Sequence, residues 1–286
     1  MLPYAELIDL AFPETRHRWT CRDVQLYALA TGFGRDVESE FDLAFIQGES
    51  PPVSPGFASL VANLAAPDRL RRLGVDFSKV LHGGQSVELM RALPAEGEVT
   101  CRTRIVEAYD KGERGAVIVE ATDLFGESGE HFAHTRSTIV ARGDGGFGGS
   151  DARPPSPPVA PDRAPDHRIA FSLRPEQAAL YRLLGDLNPL HVDPAAARRA
   201  GFDRPIMHGL CIMGIGIGAI LRQTGDLGLL RESSVEGRFS AHCYPGDDLE
   251  ILIWRQDRAL FFEIRSAVTG SPVFSNGGIS KSSNRS

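Results

Sequence analysis

The chain has 286 residues, room for two ordinary domains, and its 42% hydrophobic and 24% charged residues are the proportions of a globular protein in water. A formal net charge of −6 and a pI of about 5.8 exclude the broad basic surface that nucleic-acid binding ordinarily needs. Four widely spaced cysteines (Cys21, Cys101, Cys211, Cys243) show no metal-ligand spacing. Read as buried thiols, they exclude a disulfide framework and point to a reducing compartment, expected to be the cytoplasm.

In chain order, MLPYAELIDLAFPETRHRW has acidic residues within its apolar stretch and no cationic leader, so it does not read as a secretory signal. TCRDVQLYALATG (Thr20 to Gly32) has helical apolar spacing, and Ser54-Pro55-Gly56-Phe57 opens a second, proline-led apolar helix. VELMRALPAEGEVTCRTRIVEA reads as strand, turn and strand, followed by the β-branched strands GAVIVEATDLF and HTRSTIVAR. Glycine-rich and then proline-rich sequence from Gly143 to His167 marks a connector. The expected organisation is an N-terminal unit over 1–150, a linker over 151–167 and a C-terminal unit over 168–286.

The second unit repeats the first. RPEQAALYRLLGD (Arg174 to Asp186) matches the early helix, with Leu180-Tyr181 opposite Leu26-Tyr27. Arg204-Pro205 leads another apolar helix, and GRFSAHCYPGDDLEILIWRQ is another strand-turn-strand segment, before the strand LFFEIRSAV. Corresponding features lie about 150 positions apart, the mark of an internal duplication. Each copy predicts an α+β unit, a sheet wrapped around one buried helix. The longest apolar run, IMGIGIGAIL, is too short to span a bilayer, and no membrane partner is expected.

What the duplication fails to preserve is informative. Gly32, Gly34 and Val37 fall opposite Asp186, Asn188 and His191, and Ala58 falls opposite His208. One polar copy and one blank copy suggest a single active site in the C-terminal half. Asn188-Pro189 forces a turn that can bring Asp186 and His191 to one space, where a carboxylate and an imidazole can share acid/base work on a water. A buried ion pair or an exposed turn would use the same residues, and a metal site would need more converging ligands than His191, Asp193 and His208 offer. Asp193-Pro194 reads as a helix N-cap. The amides of His208-Gly209-Leu210 fall near a helix start, a place that favours negative charge on oxygen.

YRLLGDLNPLHVDPAAARRAGFDRPIMHGL resembles the signature of the MaoC-like, R-specific type 2 enoyl-CoA hydratases, and RDVQLYALATG, LHGGQSVEL, the DKG turn and GDGGFGG resemble the family's two-domain members. The resemblance implies a double hotdog fold, two tandem halves that each curl an antiparallel sheet around a long helix. It places the catalytic pair on Asp186 and His191, the asparagine beside them on Asn188, and the oxyanion-binding amide on Gly209. Family substrate contacts map to His82, Gly83, Lys111 and Phe239.

The implied reaction is reversible hydration of a trans-2-enoyl-CoA to a (3R)-3-hydroxyacyl-CoA. The coenzyme A thioester is the substrate, and no metal or redox cofactor is expected. The blank half is expected to leave room for a bulky acyl chain, and the family suggests a homodimer. Ile212 stands where the family's HGLCT has a hydroxyl residue, and Ser54-Pro55-Gly56-Phe57 replaces its PTF-like segment. The rival readings are a hotdog thioesterase, an acyl-carrier-protein dehydratase, and a non-catalytic acyl-CoA binder.

Overall fold

Among the described residues, alternating β-branched and polar positions build ten strands, and apolar helices cover their inner face. A computed structural model describes residues 1–65, 68–76, 79–152 and 157–281. The first half runs α1 (Tyr4–Ile8), β1 (Thr15–Trp19), α2 (Cys21–Ala30), α3 (Glu40–Ala44), α4 (Gly56–Ala65), α5 (Arg69–Leu73), β2 (Val80–Leu89), β3 (Gly97–Asp110), β4 (Ala116–Phe125) and β5 (His131–Ala141). The second runs β6 (His167–Ser172), α6 (Gln177–Arg182), α7 (Pro194–Arg199), α8 (Gly209–Thr224), β7 (Ser233–Phe239), β8 (Asp248–Gln256), β9 (Ala259–Ser266) and β10 (Pro272–Ser280).

The strands form one antiparallel sheet in the order β1-β3-β4-β5-β2-β7-β10-β9-β8-β6. Each half reads outward-to-inward in the same pattern, so the duplication predicted from sequence is written into the topology and the fold is a double hotdog. The halves join where β2 pairs with β7, Val87 facing Val235 and Gly84 facing Arg238. The strand-turn-strand segments differ from hairpins. β2 and β3 are not neighbours, nor are β7 and β8, so the Leu93-Pro94 and Tyr244-Pro245 turns carry the chain across the sheet.

The glycine-rich end of the first half folds back on it: Gly146 and Gly148 donate backbone N–H groups to the Asp110 carboxylate. Residues 153–156 of the expected linker lie outside the described residues.

α8 is apolar all round because it is buried all round, from Leu210 to Leu221. Glycine inside a helix costs about 1 kcal/mol. At Gly214 a Cβ would lie 2.7 Å from the Tyr27 hydroxyl, so the missing side chain is what lets α2 approach. Ile212, one departure from the family pattern, and Phe57, within the segment that is the other, are 2% and 1% exposed and belong to the main apolar core.

The place in the first half equivalent to the polar turn of the second is closed by an ion pair. Arg222, near the end of α8, donates from Nε to Asp42 Oδ1 at 2.6 Å and from Nη2 to the Gly32 carbonyl at 2.7 Å. Gly34 N–H donates to Asp42 Oδ2 at 3.0 Å. Asp42 is buried, so Arg222→Met would strand its carboxylate; we expect a loss of about 3 kcal/mol, read as a lower urea midpoint with unchanged m.

Candidate active site

α6 ends against α4 of the other half. Gly185 leaves the helix with φ 113°, and a Cβ there would meet the Leu64 side chain at 3.1 Å. A glycine is therefore needed both for the turn and for the close approach. The approach brings Asp186 to Asn63, whose Nδ2 donates to Asp186 Oδ2 at 3.2 Å. Asp186 Oδ1 receives the Asn188 backbone N–H at 3.4 Å.

Asn188 caps a single 3-10 turn, Pro189–His191, accepting the Leu190 N–H at Oδ1, 3.0 Å. Its side-chain oxygen is thus engaged in the turn, and the side-chain amide that touches Asp186 comes from Asn63. Asp193 accepts from Ala195 N–H at 2.7 Å and starts α7, the structural role its sequence context predicts.

The 3-10 turn points His191 at the next segment, where Nδ1 lies 2.9 Å from the Ile206 carbonyl oxygen. A carbonyl only accepts, so Nδ1 carries the proton and Nε2 keeps a lone pair. Burial holds the imidazole below its usual pKa, against the opposing pull of the Ile206 carbonyl and the Asp186 charge.

His208 caps α8 and its ring lies face to face with His191, centroids 3.6 Å apart. Tyr181 packs on it at 4.9 Å. Burial and then the neighbouring His191 push its pKa well down. Its ring nitrogens close no hydrogen bond of normal geometry, although the Asp186 carbonyl faces one of them. The residue is a buried, neutral wall behind His191.

Nitrogen and oxygen atoms of Asp186, His191 and His208 lie within 4.8 Å of one another, the one such grouping among the described residues. Two histidines that bind one ion must each contain it in the ring plane. Rings stacked at an interplanar angle of 29° do not bring their planes together at a Zn–N distance of about 2.0–2.1 Å. The same span suits one water that hydrogen-bonds to both Asp186 and His191.

Gly209 begins α8, and among the described residues its backbone N–H donates to no protein acceptor. It stands at the positive end of a 16-residue helix, where developing negative charge is favoured. A Cβ on Gly209 would lie 2.9 Å from Phe239 Cδ1. Phe239 in turn packs on His82, centroids 4.6 Å apart. His82 and Gly83 lie on β2 at a bulge beside the junction with β7. His82 Nε2 lies within hydrogen-bond distance of Gln85 Oε1 and Ser137 Oγ, and burial followed by the Arg69 charge lowers its pKa to about 4. Lys111 occupies the β3–β4 turn, where its ammonium donates to the Asp151 and Ala152 carbonyls. Gly209, Phe239, His82 and Gly83 are thus brought together, while Lys111 ties its turn to the chain leaving the first half.

Beneath α4 the first half is polar. Ser59, Asn63, Gln85, Glu120, Thr122, Thr135 and Ser137 line a cavity with room for one water-sized group. This layer separates the main apolar core from a second cluster around Leu7, Leu73 and Ile118. The half that reads as blank from sequence therefore contributes Asn63 to the site and a polar interior behind it. Asn63 in LVANLA carries no signal of this, because the contact spans 123 residues.

Two family descriptions match the chain: "MFE-2 hydratase 2 N-terminal domain" over residues 17–143 and "MaoC like domain" over residues 157–276. Among curated relatives, enoyl-CoA hydratase ChsH3 of Mycobacterium tuberculosis is 38% identical over 269 residues, covering 93% of both chains. Peroxisomal multifunctional enzyme type 2 of Mus musculus is 35% identical over 89% of this chain, which spans 35% of that longer protein. The crystal structure of a MaoC-like dehydratase from Phytophthora capsici is 28% identical and superposes with a TM-score of 0.82 over 98% of this chain and 99% of that one.

Proposed function

The chain belongs to the MaoC-like dehydratase and hydratase 2 family, and from that premise we propose that it catalyses reversible hydration of a trans-2-enoyl-CoA to a (3R)-3-hydroxyacyl-CoA. The observation that carries this reading is that Asp186 and His191 come within 4.8 Å of each other beside the start of α8, where the Gly209 N–H donates to no acceptor among the described residues. One water sits between the carboxylate and His191 Nε2. As its oxygen bonds to C3, a proton passes to the Asp186/His191 pair, and electrons of the double bond move onto the thioester oxygen. The Gly209 amide binds that oxygen while it carries charge. The pair then returns its proton to C2 on the same face, so one water is added overall and the pair is restored.

The neutral His191, with its proton fixed on Nδ1 by Ile206, is in the state that this first transfer requires. Phe239 and His82 beside Gly209 are placed to contact the thioester end of the substrate. The four thiols are free, which suits a reducing compartment such as the cytoplasm. No helix among the described residues is long and apolar enough to cross a membrane. Among the described residues β1 and β6 end the sheet with unpaired edges, and a homodimer would use such surfaces.

Incubation with crotonyl-CoA and with a longer enoyl-CoA tests the reaction. Loss of the enoyl-thioester absorbance without thiol release, with (3R) product on chiral analysis, is the expected result. Release of free coenzyme A would make the protein a thioesterase, and an unchanged spectrum would make it a binder.

A further inference from the structure

A carboxylate that handles water must hold a fixed direction, and both oxygens of Asp186 are held: Oδ1 by the Asn188 backbone N–H and Oδ2 by the side chain of Asn63. Asn63 lies on α4, in the half that contains none of the residues carried over as the water-handling group.

A carboxamide can present either end, so what fixes this one matters. Arg69 Nη1 donates to the Asn63 backbone carbonyl at 2.7 Å, and Nη2 donates to Asn63 Oδ1. With Oδ1 engaged by a cation, Nδ2 is the end left for Asp186. Arg69 is anchored in turn by Glu120, Nε to Oε1 3.2 Å, inside the polar layer of the first half. The chain Glu120–Arg69–Asn63–Asp186 thus runs from the interior of one half to the reacting end of the other. Buried polar groups of this kind are costly unless joined to one another, and here they are joined in line with the site.

We propose that Asn63 is a positioning residue for the hydration reaction. It acts through Asp186, holding one carboxylate oxygen so that the other is aimed at the water. The inference rests on the hydratase reading. It makes the active site a product of both halves, with Arg69 setting the amide's orientation.

Asn63→Leu is close in size and removes the donor. We expect kcat to fall by on the order of 10–100-fold, with KM within about threefold and an unchanged circular dichroism spectrum. Asn63→Asp separates positioning from packing. It sets a second carboxylate against Asp186, and only the singly protonated pair keeps a hydrogen bond between the side chains. Its kcat should therefore fall more steeply between pH 6 and pH 8 than that of Asn63→Leu. If Asn63→Leu does not fold, Asn63→Ser, too short to reach Asp186, takes its place with the same expected fall in kcat. A wild-type chain that hydrates beside variants of unchanged kcat and pH profile overturns this inference alone. A wild-type chain that leaves the enoyl band untouched overturns the hydratase reading and this inference with it.

Discussion

Asp186→Asn is expected to lower kcat for enoyl-CoA hydration by on the order of 10³-fold, with KM within a few-fold and thermal stability close to wild type. Asparagine preserves the size of the side chain and one oxygen that can accept, so the turn from Gly185 to His191 keeps its shape. What it loses is the charge and the capacity to share a proton with His191 across the proposed water, over the short span that separates them. The Asn63 amide would then face another amide, one end of which presents hydrogens to its own donor. Asp186 side-chain atoms take no part in starting α6 or α7, so little stability is at stake. Steady-state rates on crotonyl-CoA and a longer enoyl-CoA check the result. An Asp186→Asn protein with wild-type kcat would falsify the proposed division of labour.

Acidification is expected to unfold the protein steeply. Burial pushes His82 down to about 4 and also lowers His191 and His208. In the unfolded chain all three return to about 6.5. Between that value and the folded pKa, the unfolded state takes up protons that the native state refuses, so stability falls as pH falls. His82 contributes about 1.4 kcal/mol per pH unit across that interval, and His191 and His208 add in the same direction. Glu120, raised by burial, works in the opposite sense. Stability is therefore expected to fall as the pH drops below about 6.5, with the His82 contribution extending toward pH 4. Urea titrations at pH 7.5, 6.5 and 5.5 measure the slope. His82→Gln, which has no imidazole to protonate, should lower it by about 1.4 kcal/mol per pH unit. Stability that is flat from pH 7 to pH 5.5 would contradict the buried neutral state of these rings.

Much of this architecture is legible in the sequence because it is local. The Asn-Pro turn, the Asp193-Pro194 cap and the glycine that opens α8 follow from the preferences of a few adjacent residues. The duplication is legible because the same local pattern occurs twice, and the shared strand order bears it out. The family resemblance carried the double hotdog and the reaction class, which short-range physics alone would have left open.

The rest depends on contacts between distant segments. Asn188 reads as the partner of Asp186 because it is near in sequence, yet its side-chain oxygen holds the 3-10 turn. Asn63 is the amide that reaches Asp186, and only the packing of α6 against the other half brings it there. His208 reads as a possible partner of His191 in chemistry, and the structure makes it a stacked wall. The turns at Leu93-Pro94 and Tyr244-Pro245 read as strand-turn-strand links and prove to be crossovers, because strand order is set by how the sheet closes over its helix.

The clamp of Arg222 on Asp42 and Gly32 bears on stoichiometry. A duplicated fold offers two equivalent places for a substrate, one after each early helix. In the second half the turn after α6 carries Asp186 and His191; in the first, a guanidinium fills the corresponding ground and joins the loop to α8. The proposed reaction has its place in the second half, and the corresponding ground in the first fastens the two halves together.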